Sequence, residues 1–270
     1  MRTSGQRMGM LALTLVFVGS CNKAEDKTEK ASPAAKGTET KQAQEKAVAK
    51  PVAPVVAAKP AAAKPAPTKP EVMTERGFPI HSRSSAPEET HEILDFYQKT
   101  FQFVPNLARV MAESPALLKS YYQIQDNLQK IGSLSPPEDN IVQMSIAMQN
   151  ECQYCVAGHT MAGKLFFKSP DAQVEAIRTK AKLPEAKFNA LRDFALQVYD
   201  SKGRVTDAQL KAFLDAGYSR KQALDVVANV AAKVMSNYAN QLTRNPVDEQ
   251  MTPFTKGLPF AEERKTVKAK

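Results

Sequence analysis

The sequence predicts an all-α domain carried on an extended, disordered tether. Three observations carry that expectation. Beyond residue 72, apolar residues recur at helical spacing, with little of the alternating β-branched pattern that strands would give. Four Ser or Thr residues are followed three positions later by Glu or Gln, the signature of a helix start in which each side chain accepts an amide proton. Before that region, Lys23 to Pro70 is dominated by Ala, Lys, Pro, Thr and Glu and has no aromatic residue, so it cannot bury enough surface to offset its ordering entropy.

Residues 1–20 read as an export signal. Arg2 and Arg7 supply positive charge, and MLALTLVFV, Met10 to Val18, is an apolar core too short to span a bilayer as a mature helix. VGSC, Val18 to Cys21, resembles the lipobox of bacterial lipoproteins, which implies that Cys21 becomes the lipid-bearing first residue of the mature chain. An ordinary secretory signal with an unrelated cysteine is the alternative. Asn22 stands where an aspartate would favour inner-membrane retention, so the expected location is the periplasmic side of the outer membrane in a bacterial cell envelope. Residues 21–72 form the tether. At ~3.1 Å per residue in a polyproline conformation, it reaches on the order of 150 Å. It is a passive spacer, or one whose lysines also brush anionic envelope polymers.

Residues 73–256 form the helical domain, and 257–270 a flexible basic tail. The expected helices are 87–99, 105–112, 115–131, 136–150, 153–168, 170–178, 185–200, 207–215 and 220–242. The capping pairs are Ser85 with Glu88, Ser135 with Glu138, Thr206 with Gln209, and Ser219 with Gln222. Gly132, Gly203 and Gly217 fall in gaps, where left-handed stops are expected. The last helix is rich in small and apolar residues around most of its circumference and is expected at the centre, so its Asn237 and Asn240 need polar partners.

The chain's net charge is +9, but residues 1–70 carry 12 basic and 5 acidic side chains against 25 and 23 in residues 71–270. The folded part is therefore near neutral. With no basic stripe interleaved with aromatics and no recognition motif, nucleic-acid binding is not expected.

The chemistry concentrates in NECQYCVAGHT, Asn150 to Thr160. With a helix beginning near Cys152, Cys155 and His159 follow at i+3 and i+7 and share one face with it. The helix N-terminus stabilises a thiolate, the neighbouring thiol can donate to it, and His159 can accept or relay a proton. Zinc would want four ligands, and the other histidines, His81 and His91, are distant in sequence; covalent haem would need histidine directly after the second cysteine, where Val156 stands. No metal or cofactor is therefore expected. A structural disulfide in an oxidising envelope remains the competitor, although so short a loop constrains the unfolded chain little and such bridges are readily reduced.

The segment resembles the core of the alkylhydroperoxidase D (AhpD) and carboxymuconolactone decarboxylase superfamily, whose redox members carry two cysteines two residues apart and a histidine four after the second. FVPNLARVMAESPALLKSYYQIQDNL before it and DAGYSRKQALDVVANVAAKVMSNYANQLTRNPVDEQ after it extend the resemblance over about 85–255, especially to peroxidase-related members. The resemblance implies an AhpD-like helical bundle and a cofactor-free thiol peroxidase acting on hydroperoxides. Cys155 would be the peroxidatic cysteine, Cys152 its proton donor and resolving partner, and His159 part of a proton relay. It also implies an external dithiol reductant and a homo-oligomer, trimeric or hexameric. Hydroperoxidase members place a relay glutamate twelve residues before the first cysteine, and here that position is Asn140, which can orient water but cannot take up a proton. Thiol-disulfide exchange in the envelope and a non-enzymatic binding module are the alternative functions.

Overall fold

The computed structural model describes Pro70 and residues 72–260. The export signal, Cys21, nearly all of the tether and the tail from residue 261 lie outside the described residues. The chain divides into two units, residues 1–60 and 61–270, and every described residue belongs to the second.

Nine α-helices make up the described part: α1 (His91–Phe101), α2 (Asn106–Met111), α3 (Pro115–Ile131), α4 (Pro136–Gln149), α5 (Gln153–Met161), α6 (Asp171–Arg178), α7 (Ala186–Ser201), α8 (Asp207–Asp215) and α9 (Arg220–Thr243). A 3-10 turn, Glu88–Thr90, precedes α1, a π turn, Ala162–Phe166, follows α5, and a 3-10 segment, Glu249–Thr255, runs after α9. No strand occurs among the described residues, only an isolated bridge between Met73 and Pro79. The all-α expectation therefore holds. None of these helices is long and apolar enough to cross a membrane.

The sequence explains most helix starts. Ser135, Thr206 and Ser219 each cap their helix in a reciprocal box with Glu138, Gln209 and Gln222, and prolines open α3 and α4 where a missing N–H costs nothing. Two apolar clusters meet at α9. α1, α2 and α3 contribute Leu94, Met111 and Leu118 to one, and α4 to α8 contribute Ile141, Leu191 and Phe213 to the other; Ala232 and Val226 of α9 face the two in turn. α9 packs on α2, α3, α4, α5 and α7. The most enclosed helix is α4, on which Ile141, Val142, Met144, Ile146 and Met148 are all 2% exposed or less. Each such side chain contributes roughly 1.5–3 kcal/mol of burial, which gives the site a rigid floor.

Four local expectations need correction. Ser85 does not cap a helix: its Oγ accepts from the Ser82 N–H at 3.0 Å and meets His81 Nδ1 at 3.2 Å, while Pro87 takes the N-cap place before the 3-10 turn. Gly132 is not left-handed. It sits at φ −62°, ψ 163°, and its glycine is required because a Cβ would meet the Leu128 carbonyl oxygen at 2.3 Å. The helix expected over 153–168 stops being regular α at Met161. There the chain widens into a π turn that brings Gly163 close against Asn140: a Cβ would lie 3.1 Å from Asn140 Nδ2, so a side chain here would press on that amide. Last, α9 is central on one side only, since Leu224, Val227, Tyr238 and Leu242 are exposed.

Candidate active site

The reversal between α4 and α5 sets the geometry. Asn150 ends α4, Glu151 adopts a left-handed φ of 53°, and Cys152 becomes the N-cap of α5. That left-handed residue costs on the order of 1 kcal/mol for a side chain with a Cβ, but the turn it makes aims the cysteine face of α5 at α9. Tyr154, between the cysteines, secures the turn from the other side. Its Oη accepts from the Leu107 N–H at 3.1 Å and donates to Asp248, whose carboxylate also accepts from the Asn106 N–H at the start of α2, at 3.0 Å.

Both thiols are free and buried, Cys152 at 0% and Cys155 at 3% exposure. Cys152 Sγ donates to Cys155 Sγ at 2.7 Å. A second donor reaches Cys155 from α9, Asn240 Nδ2 at 3.2 Å. Burial acts to raise the Cys155 pKa, but the hydrogen bond from Cys152, the positive charge of Lys233, and the amides of Asn240 and Asn237 outweigh it and bring it down to about 6. The Cys152 thiol moves the other way, pushed up by burial and then by its tie to Cys155. One sulfur is therefore a thiolate and the other a thiol at neutral pH, the polarised pair that a nucleophile and its proton donor require.

His159, one turn beyond Cys155, is held at both ring nitrogens. Nδ1 lies 2.8 Å from Asn140 Oδ1, and Nε2 lies 2.8 Å from Lys233 Nζ. An amide oxygen only accepts, so Nδ1 carries the proton and Nε2 accepts from Lys233. Burial, and then the Lys233 charge, hold the His159 pKa well below its ordinary value, so the imidazole is neutral. Asn140 also donates through Nδ2 to the His159 carbonyl at 3.3 Å. The position at which the resemblance implies a glutamate thus contacts His159, with an amide in place of the carboxylate. The neighbouring acids stay apart: Asp139 accepts from Asn229 at 2.7 Å and is pushed up to about 7 chiefly by burial, and Glu138 closes the α4 capping box beside Lys187.

Cys152, Cys155, His159 and Asn140 therefore come together, while Cys21 lies outside the described residues. Sequence reasoning missed Lys233. The signal was present as a polar stripe: Lys233, Asn237 and Asn240 stand at i, i+4 and i+7 on α9 and run antiparallel to the Cys155–His159 face of α5. His81 and His91 serve elsewhere, bonded to Glu113 at 2.7 Å and to the Ala86 carbonyl at 3.1 Å. Among the described residues, no three His, Cys, Asp or Glu side chains are grouped to hold a metal ion. An open cleft of about 470 Å³ between Arg109, Gln98 and Asp248 reaches neither thiol, and its Arg109 is spent on backbone carbonyls and Asn106.

No protein-family model matches the chain, and no curated protein matches its sequence. Solved structures do. The AhpD core of an uncharacterized peroxidase-related protein from Ralstonia eutropha JMP134 aligns with a TM-score of 0.59 and 24% identity, over 64% of this chain and 93% of that one. An uncharacterized peroxidase-related protein from Silicibacter sp. TM1040 aligns at 0.57 and 21% identity, over 68% and 96%. The debrominase Bmp8 aligns at 0.54 and 16% identity, over 65% and 94%. The described residues thus share the helical fold of the AhpD core, with a buried dithiol at the junction of α4, α5 and α9.

Proposed function

We propose that the protein is a cofactor-free thiol peroxidase. The observation that carries this reading is the unequal pair of sulfurs, in which Cys155 receives donors from Cys152 and Asn240 beside the Lys233 charge. The Cys155 thiolate attacks one oxygen of a hydroperoxide, an S–O bond forms as the O–O bond breaks, and the departing alkoxide or hydroxide takes a proton. Cys152, already in contact, then displaces water from the sulfenic acid to close the disulfide. An external dithiol reduces it, for which the first turn of α5 must open, since Cys152 is fully buried.

In this scheme Lys233 holds the proton that the departing oxygen needs. His159, with both nitrogens engaged, keeps the Lys233 amino group in place, and Asn140 fixes the tautomer. The enclosure of both sulfurs favours a small oxidant over thiol exchange with another folded protein, which would need the site to open before its first step. Lipid attachment at Cys21, a location at the periplasmic side of the outer membrane, and assembly into a homo-oligomer belong to the same proposal.

The test uses the full chain with Cys21→Ser, which leaves two of its three cysteines. Prereduced protein should lose two thiols per peroxide consumed. Cys155→Ser should abolish consumption, and Cys152→Ser should stop after one equivalent with a trapped sulfenic acid. A rate no faster than free cysteine removes the proposal.

A further inference from the structure

Two asparagines of α9 flank the Cys155 sulfur, and only one is fully used. Asn240 gives one amide hydrogen to Cys155 Sγ at 3.2 Å and the other to the Ser236 carbonyl at 3.0 Å, while its Oδ1 accepts from Asn245 Nδ2 at 3.0 Å. Asn237 lies one turn earlier and is 0% exposed. Its Oδ1 accepts from Asn150 Nδ2 at 2.9 Å, and Asn150 is steadied in turn by the Tyr199 hydroxyl, which donates to Asn150 Oδ1. That anchorage fixes the oxygen end of Asn237 and leaves Nδ2 without a hydrogen-bond partner among the described residues. Nδ2 is nonetheless on the sulfur's side: Asn237 stands on the face of α9 between Lys233, which reaches His159, and Asn240, which reaches Cys155, and its amide helps lower the Cys155 pKa without meeting the sulfur in hydrogen-bond geometry. A buried amide donor left unmet costs about 1–3 kcal/mol, so one held in place beside a nucleophile needs a polar atom to receive it during the reaction.

We propose that Asn237 Nδ2 is the hydrogen-bond donor for the oxygen that leaves when Cys155 attacks a hydroperoxide. This rests on the peroxidase reading. Asn240 steadies the sulfur, Asn237 receives the far oxygen, and the O–O bond lies between them. As the S–O bond forms, sulfur is oxidised from thiolate to sulfenic acid and the O–O bond is reduced. The negative charge gathers on the departing oxygen, where the Asn237 N–H stabilises it until the Lys233 proton arrives. Asn237 is then a catalytic residue that strengthens its hold as charge develops. The enclosure of both sulfurs restricts the substrate class to hydrogen peroxide and short-chain hydroperoxides.

The experiment compares two electrophiles in single turnover on the prereduced full chain with Cys21→Ser, near pH 9, well above the Cys155 pKa of about 6. Iodoacetamide releases iodide and needs no donor, whereas hydrogen peroxide releases hydroxide. Asn237→Ala should slow the peroxide reaction by about tenfold or more while alkylation changes by less than about threefold. Tyr199→Phe keeps the ring and removes only the hydroxyl that steadies Asn150. It should slow peroxide alone by about threefold, and it decides the matter where Asn237→Ala fails to fold. Equal losses for both electrophiles, or no loss for peroxide, would overturn the role of Asn237. A parent chain no faster than free cysteine toward peroxide is a different result and removes the peroxidase reading itself.

Discussion

Lys233 is 1% exposed, and a buried cation needs compensating partners or it neutralises. Its Nζ rests against a neutral imidazole, and the anion within its field is the Cys155 thiolate. The cation and the thiolate therefore support each other across the α5–α9 contact. Lys233→Met keeps the chain length and removes the charge, so the Cys155 pKa should rise. With a pKa of about 6, Cys155 reactivity is near its plateau at neutral pH and falls as pH drops through that value. In Lys233→Met the fall should begin at higher pH. Once the midpoint lies above neutrality, reactivity at pH 7 should drop roughly tenfold for every further pH unit that the midpoint climbs. The pH profile of iodoacetamide alkylation, followed by mass spectrometry, reads this out; an unmoved midpoint would contradict the coupling. The two cysteines and His159 were legible because two successive turns of one helix bring them together. Lys233 was not, because 74 residues separate it from His159 and only the tertiary crossing of α5 and α9 joins them.

At the scale of elements, local chemistry made the helices legible. Ser135, Thr206 and Ser219 cap where their sequences indicate, and each boundary was readable because both halves of the box lie within four residues. The failures have tertiary causes. Ser85 is drawn into a cluster with His81 and Ser82, and the π turn after α5 answers to Asn140 on another helix. Helix stops at Gln102, Lys202 and Arg244 take left-handed backbone without glycine, which composition does not announce. Because α9 presents Lys233, Asn237 and Asn240 from a capped start, its cap is a clean test of stability without chemistry. Ser219→Ala removes the acceptor for the Gln222 N–H at 3.2 Å. It should cost about 1 kcal/mol in urea unfolding and leave the alkylation rate of Cys155 unchanged, as the cap lies more than three turns from Lys233. A loss well below half that value would mean that tertiary packing alone holds this end of α9.

At the scale of the whole molecule, the outward side of α9 is the feature the fold leaves unexplained. Leu224 is 71% exposed, Val227 48%, Tyr238 53% and Leu242 58%, with Ala231 and Val234 half-buried between them. The steps of 3, 4, 3, 4 and 4 residues hold this stripe to one side of a helix that is about 36 Å long at 1.5 Å per residue. An apolar stripe about 27 Å long at 1.5 Å per residue, rimmed by polar residues, is the kind of surface that a second copy covers, and a symmetric partner presents the same stripe. The polar face of the same helix carries the dithiol's partners, so association would also stiffen the α5–α9 contact. The full chain with Cys21→Ser should therefore run as an oligomer in analytical ultracentrifugation at micromolar concentration. Leu224→Glu with Leu242→Glu puts two like charges into that contact and should shift the chain to monomer with unchanged helical circular dichroism. Because the thiolate depends on Lys233 staying in place, the monomer should also alkylate more slowly at pH 7 than the parent. A parent chain that sediments as a monomer across the whole concentration range would leave α9 exposed for some other reason and would end the expectation of self-association.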